Sequence, residues 1–123
     1  MHKETPVKVN AFVDEGIASL IEALSSVPSL VTLESCQGGD GRDAFVIFRL
    51  GSWRDAGAFL YEDLLPAMSP DLRAVCSLTL QTYDTDHAQA TISVDASAVE
   101  QLVDCINSVI STTCRVKDDA EAA

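Results

Sequence analysis

The sequence predicts an α+β domain in which a four-stranded, mainly antiparallel sheet carries three helices on one face. Two pairs of strand-like segments are each joined by a short polar turn, and three other segments repeat apolar residues every three or four positions. The predicted order is α-β-β-α-β-β-α, with residues 7–13 as a candidate for an extra N-terminal edge strand. Residues 1–114 are expected to form this single domain, followed by a disordered acidic tail at 115–123.

The first helix is predicted at residues 15–26. Apolar residues alternate in the preceding segment 7–13, and Pro6 favours an edge position there because proline cannot donate to a sheet ladder. Asp14 is a good N-cap for the helix, and Pro28 stops it. The helix is expected to bury an apolar stripe made of Ile17, Leu20, Ile21 and Leu24.

The first predicted hairpin spans residues 30–50. Asp40 and Asp43 can close its turn through their side chains. The second arm, 44–50, is apolar on both alternations apart from Arg49, as is typical of a central strand. The turn is built on three closely spaced glycines, which accept positive φ without strain: Gly38, Gly39 and Gly41.

A second helix is predicted to begin at Trp53, with Ser52 as its N-cap. Pro66 is expected to end or kink this helix near Leu65, and residues 69–71 are expected to form a turn. The apolar face of the helix consists of Ala56, Phe59, Leu60, Leu64 and Met68.

The second hairpin is predicted at residues 74–83 and 88–94, because apolar and polar residues alternate in both segments. Its tip is the polar stretch 84–87. The last helix is predicted to begin with a capping box formed by Ser97 and Glu100. Its apolar stripe consists of Val99, Leu102, Val103, Ile106, Val109 and Ile110.

Strict alternation assigns the strand residues to a helix-covered face and an opposite face. The covered face is predicted to take Val31, Leu33, Cys76, Leu78, Leu80, Ile92 and Val94. The opposite face is predicted to carry Thr32, Glu34, Cys36, Ser77, Thr79, Gln81, Tyr83, Gln89, Thr91 and Ser93, with either Phe45, Ile47 and Arg49 or their alternates. A polar face interrupted by large apolar residues suits a ligand or a second subunit, although antiparallel sheets commonly keep one face in water.

The charge balance is strongly acidic: 19 Asp and Glu against 8 Lys and Arg give a net charge of −11 over 123 residues. Such a chain gains little from counterion release at phosphates, so nucleic acid is not an expected partner. The acidity serves either solubility or a basic protein partner. Without a bilayer-spanning stretch or the apolar core of a signal peptide, the chain is expected to be cytoplasmic and away from membranes. Reduced thiols are expected at Cys36, Cys76, Cys105 and Cys114.

The turn of the first hairpin is the candidate binding site. Free amides in a glycine-rich turn can form a nest for a phosphate or carboxylate, and three of the basic residues lie close by in sequence. The segment is neither a P-loop nor a dinucleotide fingerprint, and glycines at a hairpin tip can serve the turn alone. The candidate ligand-binding residues are Ser35, Cys36, Gln37, Gly38, Gly39, Arg42, Arg49 and Arg54.

Cys36 could act as a nucleophile if Arg42 stabilises its thiolate, with His2 or His87 as the base, or it could be a small structural cysteine. We expect the structural role, and we expect no catalytic residue, metal or cofactor. Three residues at the second hairpin tip could ligate a metal or simply keep a solvated tip polar: Asp84, Asp86 and His87.

Residues 32–38, Thr-Leu-Glu-Ser-Cys-Gln-Gly, followed by 44–48, Ala-Phe-Val-Ile-Phe, resemble small, largely uncharacterised proteins of bacteriophages and bacteria. In those proteins a T-x-x-S-C-x-G strand end precedes an aromatic, aliphatic strand, and residues 14–24 are similar to their D-x-x-I-x-x-L-I-x-x-L helix. More distantly, residues 35–38 are similar to the S-S-C-S-G-R segment of the tRNA wybutosine-synthesising protein 3 family, which are methyltransferases. Glu34 replaces the first serine of that segment, and Gly39 replaces its arginine.

We therefore expect a non-catalytic binding protein. It would capture a small anionic, nucleotide-like ligand at the turn, or dock the opposite face of its sheet on a host protein, and that face could also build a homo-oligomer. The resemblance to phage proteins implies an accessory or counter-defence factor of a phage or mobile element. Two alternatives are a methyltransferase-like tRNA-modification enzyme, implied by the distant resemblance, and an acidic inhibitor of a nucleic-acid enzyme.

Overall fold

The computed structural model describes residues 4–7, 11–39, 41–82 and 88–122, with the backbone alone at 4–7, 11–15 and 113–122. These residues form a four-stranded antiparallel sheet together with helices, which confirms the predicted α+β class. The elements in chain order are β1 Glu4–Val7, β2 Ala11–Asp14, a 3-10 turn Glu15–Ile17, α1 Ala18–Ser25, β3 Leu30–Cys36, β4 Ala44–Leu50, α2 Trp53–Gly57, a π-helical segment Ala58–Leu64, α3 Leu65–Ala67, α4 Pro70–Ala74, β5 Cys76–Thr82, β6 Ala88–Val94, a 3-10 turn Ala96–Ala98 and α5 Val99–Ala122.

The four main strands lie in the order β3-β4-β6-β5, and every neighbouring pair is antiparallel. Each predicted hairpin therefore stays together, and the pairing of β4 with β6 at the centre joins the two hairpins. Alternate residues of β4 and β6 are buried, whereas the residues between them are partly or fully exposed. The helices consequently cover one face of the sheet and leave the other face open.

The core lies between the covered face of the sheet and the helical segments. At its centre the ring of Phe48 from β4 meets the ring of Phe59 from the π-helical segment edge to face, with centroids 6.1 Å apart. The apolar stripes predicted for the three main helical segments are confirmed, with Ile110 at the end of the last stripe only partly buried. The structure buries Ile17, Leu20, Ile21, Leu24, Ala56, Phe59, Leu60, Leu64, Met68, Val99, Leu102, Val103, Ile106 and Val109.

A π-helical segment lies directly before Pro66. The amide of Leu65 donates to the carbonyl of Leu60, five residues back, rather than four. Proline lacks an N–H and its ring crowds the carbonyl four residues earlier, so a widened helix before it relieves both problems. The helix ends at Ala67 and the chain turns extended at Met68, close to the end predicted near Leu65.

Residues 70–74 form the short helix α4, where the sequence predicts a turn and the start of a strand. The hydroxyl oxygen of Ser69 accepts from the amide of Leu72, and Pro70 occupies the first helical turn. A Ser-Pro-Asp sequence begins helices as well as turns, because proline needs no hydrogen-bond partner in a first helical turn. Strand β5 therefore begins at Cys76, later than the predicted 74.

The N-terminal segment forms two short strands, and the prediction of one edge strand at 7–13 is wrong. Strands β1 and β2 pair antiparallel in a separate two-stranded sheet, with Glu4 opposite Asp14 and Val7 opposite Ala11. Alternation of apolar residues does not distinguish one strand from two that reverse within three residues. Asp14, the predicted N-cap, is the last residue of β2, and its side chain lies outside the described residues.

A β-bulge in β3 reverses part of the predicted face assignment. Thr32 lies opposite Phe48 but Glu34 lies opposite Ile47, so Leu33 is an extra residue on this strand. Thr32 consequently shares the covered face with Phe48, whereas Val31 lies on the open face and is 55% exposed. The prediction that placed Val31 and Leu33 under the helices and Thr32 outside is wrong, because a bulge shifts the period of alternation by one residue.

The predicted capping box at Ser97 and Glu100 is also wrong, since Asp95 caps this end of the helix. The Asp95 carboxylate accepts from the amide of Ser97 at 2.9 Å and from its hydroxyl at 2.6 Å. These two hydrogen bonds lower the pKa of Asp95. The Ser97 hydroxyl thus donates to Asp95, which caps a 3-10 turn, Ala96–Ala98, that precedes α5.

The second helix has the N-cap predicted for it. The Ser52 hydroxyl accepts from the amide of Asp55, and the Asp55 carboxylate accepts from the amide of Ser52 at 3.1 Å. At the other end of the chain the backbone of α5 is helical to Ala122, through the segment for which the sequence predicts a disordered tail. No helix in the described part of the chain combines the length and apolar character needed to cross a bilayer.

Replacing Phe48 tests the assignment of the core centre. Phe48→Ala should lower the free energy of unfolding by about 3–5 kcal/mol, because it removes a fully buried ring and leaves a cavity beside Phe59. Urea denaturation measures this loss. The matched control is Phe45→Ala on the other side of the same strand, where the ring is only partly buried and the loss should be clearly smaller. Equal losses would contradict the one-sided burial.

Replacing Asp95 tests the new helix cap through its pH dependence. Folding lowers the pKa of Asp95, so its carboxylate contributes fully to stability at pH values above the ordinary carboxyl pKa of about 3.9. This contribution is lost as the pH falls through the lowered pKa of the folded state. Asp95→Asn should therefore lower the urea midpoint at neutral pH, and the difference from the parent chain should shrink on acidification. A difference independent of pH would show that the carboxylate charge has no part in the cap.

Candidate functional site

The turn of the first hairpin closes on itself through its own backbone. The amide of Gly39 donates to the carbonyl of Arg42 at 3.0 Å, and the amide of Arg42 donates back to the carbonyl of Gly39 at 3.0 Å. Both amides are therefore satisfied inside the hairpin. A nest for an anion needs amides that point outward, and these two do not supply them.

Gly38 is required by close backbone packing as well as by its conformation. It has φ of +72°, and a Cβ there would lie 2.6 Å from the backbone nitrogen of Ala44. Gly41 also has positive φ, +82°, but a Cβ at that position would meet open space. The predicted structural use of the glycines is therefore confirmed by their conformations, most strongly at Gly38.

Gln37 ties the turn to the start of the first helical segment. Its side-chain oxygen Oε1 accepts from the amide of Gly16 at 2.8 Å, across 21 residues of sequence. A Cβ on residue 16 would lie 2.7 Å from this same oxygen, so the contact needs glycine there. Gln37 is thus a structural contact of the turn, and no sequence signal links it to Gly16.

The three arginines of the predicted site do not converge. Arg42 lies exposed in the turn, and Arg49 lies near the far end of β4, about 20 Å away at the rise of an extended strand. Arg54 follows in α2, where its guanidinium lies over the ring of Trp53 at 5.3 Å from the centroid. An extended strand advances about 3.3 Å per residue, so residues seven positions apart lie about 20 Å apart in space. Short spacing in the sequence therefore wrongly predicted that the three arginines form one cluster.

Ser35 and Cys36 end β3 on opposite faces of the sheet. Ser35 lies opposite Val46 on the covered face, and Cys36 lies opposite Phe45 on the open face, where it is partly buried. The histidines considered as bases for Cys36, His2 and His87, lie outside the described residues. The same holds for the other two residues of the second hairpin tip considered as metal ligands, Asp84 and Asp86.

Of three shallow depressions among the described residues, two lie away from the turn and the third borders its last residue, Asp43. One of about 260 Å³ separates the π-helical segment from α5, and one of about 390 Å³ separates α1 from α5. A third, of about 360 Å³, lies beside the start of β5 between Asp43 and Asp95. Carboxylates line all three, and none of the described residues among the candidate ligand-binding set borders any of them. Among the described residues no three acidic, His or Cys side chains are grouped as a metal site would require.

Cys76, at the edge of the third depression, is a poor nucleophile. Burial raises the pKa of its thiol to about 11, with smaller contributions from Cys105 and Asp43. Burial likewise raises the pKa of Cys105 on α5. These two thiols remain protonated at neutral pH, as small apolar side chains do in cores.

The open face of the sheet is a broad surface that the helices leave uncovered. Its apolar members lie on β3 and β4, and its hydroxyl and amide side chains lie on β6 and β5. The side chains on this face are Val31, Glu34, Cys36, Phe45, Ile47, Arg49, Ser77, Thr79, Gln81, Gln89, Thr91 and Ser93. The arrangement confirms the predicted opposite face apart from Val31 and Thr32, and Tyr83 lies outside the described residues.

Charge is nearly absent from the open face. Among the residues of β3, β4, β5 and β6 only Glu34 and Arg49 are charged, and their signs are opposite. The chain as a whole carries −11. The open face is thus a neutral, partly apolar surface on a strongly acidic molecule, which is the kind of surface that protein partners bind.

Comparison with known proteins finds nothing similar: no protein-family model, no curated protein and no solved structure matches this chain. The resemblances of the first hairpin stay predictions. What the chain does must accordingly follow from its own geometry.

Two glycine substitutions test the structural role of the turn. Gly38→Ala should destabilise the fold by roughly 2 kcal/mol or more, because strain at positive φ adds to a clash with backbone atoms. Gly41→Ala is the matched control and should cost only about 1 kcal/mol, because its Cβ meets open space. Denaturant midpoints of the two variants measure the difference. Equal losses would show that the Gly38 backbone can shift freely.

Proposed function

We propose that this chain is a non-catalytic binding protein that acts by docking the open face of its sheet on another protein. The observation that carries the proposal is the one-sided cover of the sheet. Helices bury Val46, Phe48, Ile92 and their neighbours on one side, while four strands stay accessible on the other. The sequence predicts two modes of binding, capture of an anion at the turn and docking of the sheet face. The proposal is the second of these.

The composition of the open face favours a protein over a small molecule. Phe45 and Ile47 are partly exposed at the centre, Val31 is 55% exposed on the neighbouring strand, and the side chains around them are hydroxyls and amides together with Glu34 and Arg49. Small ligands prefer concave sites that enclose them, whereas a sheet face offers a broad surface. An apolar centre with a polar surround matches the organisation of protein interfaces.

Capture of a small anion at the turn is the less favoured function. Two of the amides that would hold the anion donate inside the hairpin, and Arg49 and Arg54 lie far from Arg42 along the chain. Arg42 would then be a single exposed cation without converging partners. A role as an accessory or counter-defence factor of a phage or mobile element would be exercised through the docking surface, and it rests on the resemblance of the hairpin alone.

A photoreactive side chain on the open face tests docking in cells that naturally produce the protein. A benzophenone amino acid in place of the exposed Thr79 should give a discrete adduct with one protein on illumination. Val31→Asp should abolish that adduct, because it replaces an apolar contact with a carboxylate beside Arg49, and this charged group must lose its water when the surface docks. Val75→Asp is the matched control: Val75 is 41% exposed but lies outside the strands, so the adduct should persist.

Two results would contradict docking through the open face. The first is the absence of a discrete adduct, or an adduct that survives Val31→Asp. The second is thermal stabilisation of the purified protein by inorganic phosphate or a nucleotide that is lost in Arg42→Ala, which would favour anion capture at the turn.

A further inference from the structure

We infer that the protein docked on the open face is a second copy of this chain. This inference rests on the proposed function and names the partner at the same surface. The pairing places two sheets face to face with the helices of each copy outside. Two observations support the inference: the open face has no net charge, and its two charged residues, Glu34 and Arg49, are positioned to pair between copies.

The open face is where two copies can approach without like-charge repulsion. The described helices bear exposed carboxylates, whereas the open face holds one charge of each sign and no net charge. A basic partner would be attracted to the acidic helical side, so the neutral side is poorly matched to it. The exposed helical carboxylates are Glu22, Asp55, Glu62, Asp63, Asp71, Glu100 and Asp104.

Repulsion between the acidic sides does not prevent this pairing. Two packed sheets are about 10 Å apart, and each helical layer lies on the far side of its own sheet. The carboxylates of one copy are then separated from those of the other by more than the Debye length, which is about 8 Å at physiological ionic strength. Salt therefore screens most of the repulsion between the two helical sides.

Glu34 and Arg49 are placed to form a reciprocal pair between copies. Glu34 lies opposite Ile47 and Arg49 lies opposite Val31, so the two charges are diagonal neighbours about 7–8 Å apart on adjacent strands. The two copies can be related by a two-fold axis that lies between the two sheets and parallel to them. This axis is perpendicular to the line from Glu34 to Arg49 and passes over the midpoint of that line. This axis brings each Glu34 onto Arg49 of the other copy, which is the self-complementary pattern of an isologous interface.

The same axis keeps the two faces in register. It passes between β3 and β4 at the level of Phe48 and then runs across the middle of the sheet, so the faces still overlap over most of their area. Hydroxyl and amide side chains on β5 and β6 both donate and accept hydrogen bonds. They can therefore pair with the same groups on a second copy.

The size of the open face predicts a weak dimer. Four strands of seven residues make a face of roughly 400 Å² in projection. Two such faces together bury roughly 800 Å², and somewhat more because side chains protrude from the plane of the sheet. This area is at the low end for specific interfaces. We therefore expect a dissociation constant on the order of 10–100 µM, so that monomer and dimer exchange with concentration.

Charge reversal with sedimentation equilibrium tests the inference on the full chain. Over about 1–500 µM the parent protein should pass from monomer to dimer. Glu34→Arg or Arg49→Glu alone should weaken the dimer by about tenfold or more, because each then brings two like charges together twice. An equimolar mixture of the two variants should dimerise again, since every contact between unlike chains is between opposite charges.

Two controls carry the same changes in charge away from the open face. Asp104→Arg on the exposed side of α5 and Arg42→Glu in the turn should leave the dissociation constant within about twofold. The double variant Glu34→Arg with Arg49→Glu should dimerise like the parent, since both partners of each pair are exchanged.

Three results would overturn the inference: a parent protein that stays monomeric throughout, a dimer indifferent to both reversals, or a mixture of the two reversals that fails to dimerise. Failure of the proposed function gives a different result. A monomeric parent that still forms a Val31-dependent adduct with a different protein would overturn self-association and keep docking through the open face. A monomeric parent with no such adduct would overturn both.

Discussion

The one-sided burial of β4 and β6 is the constraint on which the rest of the structure depends. Ala44, Val46 and Phe48 alternate with partly exposed neighbours on β4, and Ala90 and Ile92 do the same on β6. The two strands lie side by side at the centre of the sheet, so their buried residues make a single apolar layer that the helices must cover. Because all the covering helices go to that layer, the other side of the same strands is left as a surface.

The bulge at Leu33 decides what this surface is made of. An unbroken alternation would have carried Val31 and Leu33 under the helices and left Thr32 outside, giving a more polar open face. The extra residue instead places Val31 outside, directly opposite Arg49 and diagonal to the apolar Ile47 of β4. The one-residue shift at the bulge therefore exchanges Thr32 for Val31 on the open face of β3. This places an apolar side chain next to Glu34 and Arg49.

The glycine-rich turn has a structural role in this arrangement. Gly38 permits the close approach of the two arms, the Gly39 and Arg42 backbones close the loop, and Gln37 fastens it to Gly16. The turn thereby fixes the relation between the first hairpin and the first helical segment. The amides of Gly39 and Arg42 and the conformation of Gly38 are thus used in holding the hairpin.

The α+β class, the two hairpins, the buried stripes of the helices and the cap at Ser52 could all be predicted from the sequence, because each depends on residues near one another in the chain. Local pattern could not place the bulge in β3, the cap at Asp95 or the contact between Gln37 and Gly16. These depend on which atoms meet when distant segments pack. The separation of the arginines along an extended strand, and the single neutral face shared by the apolar residues of β3 and β4, follow from how the strands pair and pack.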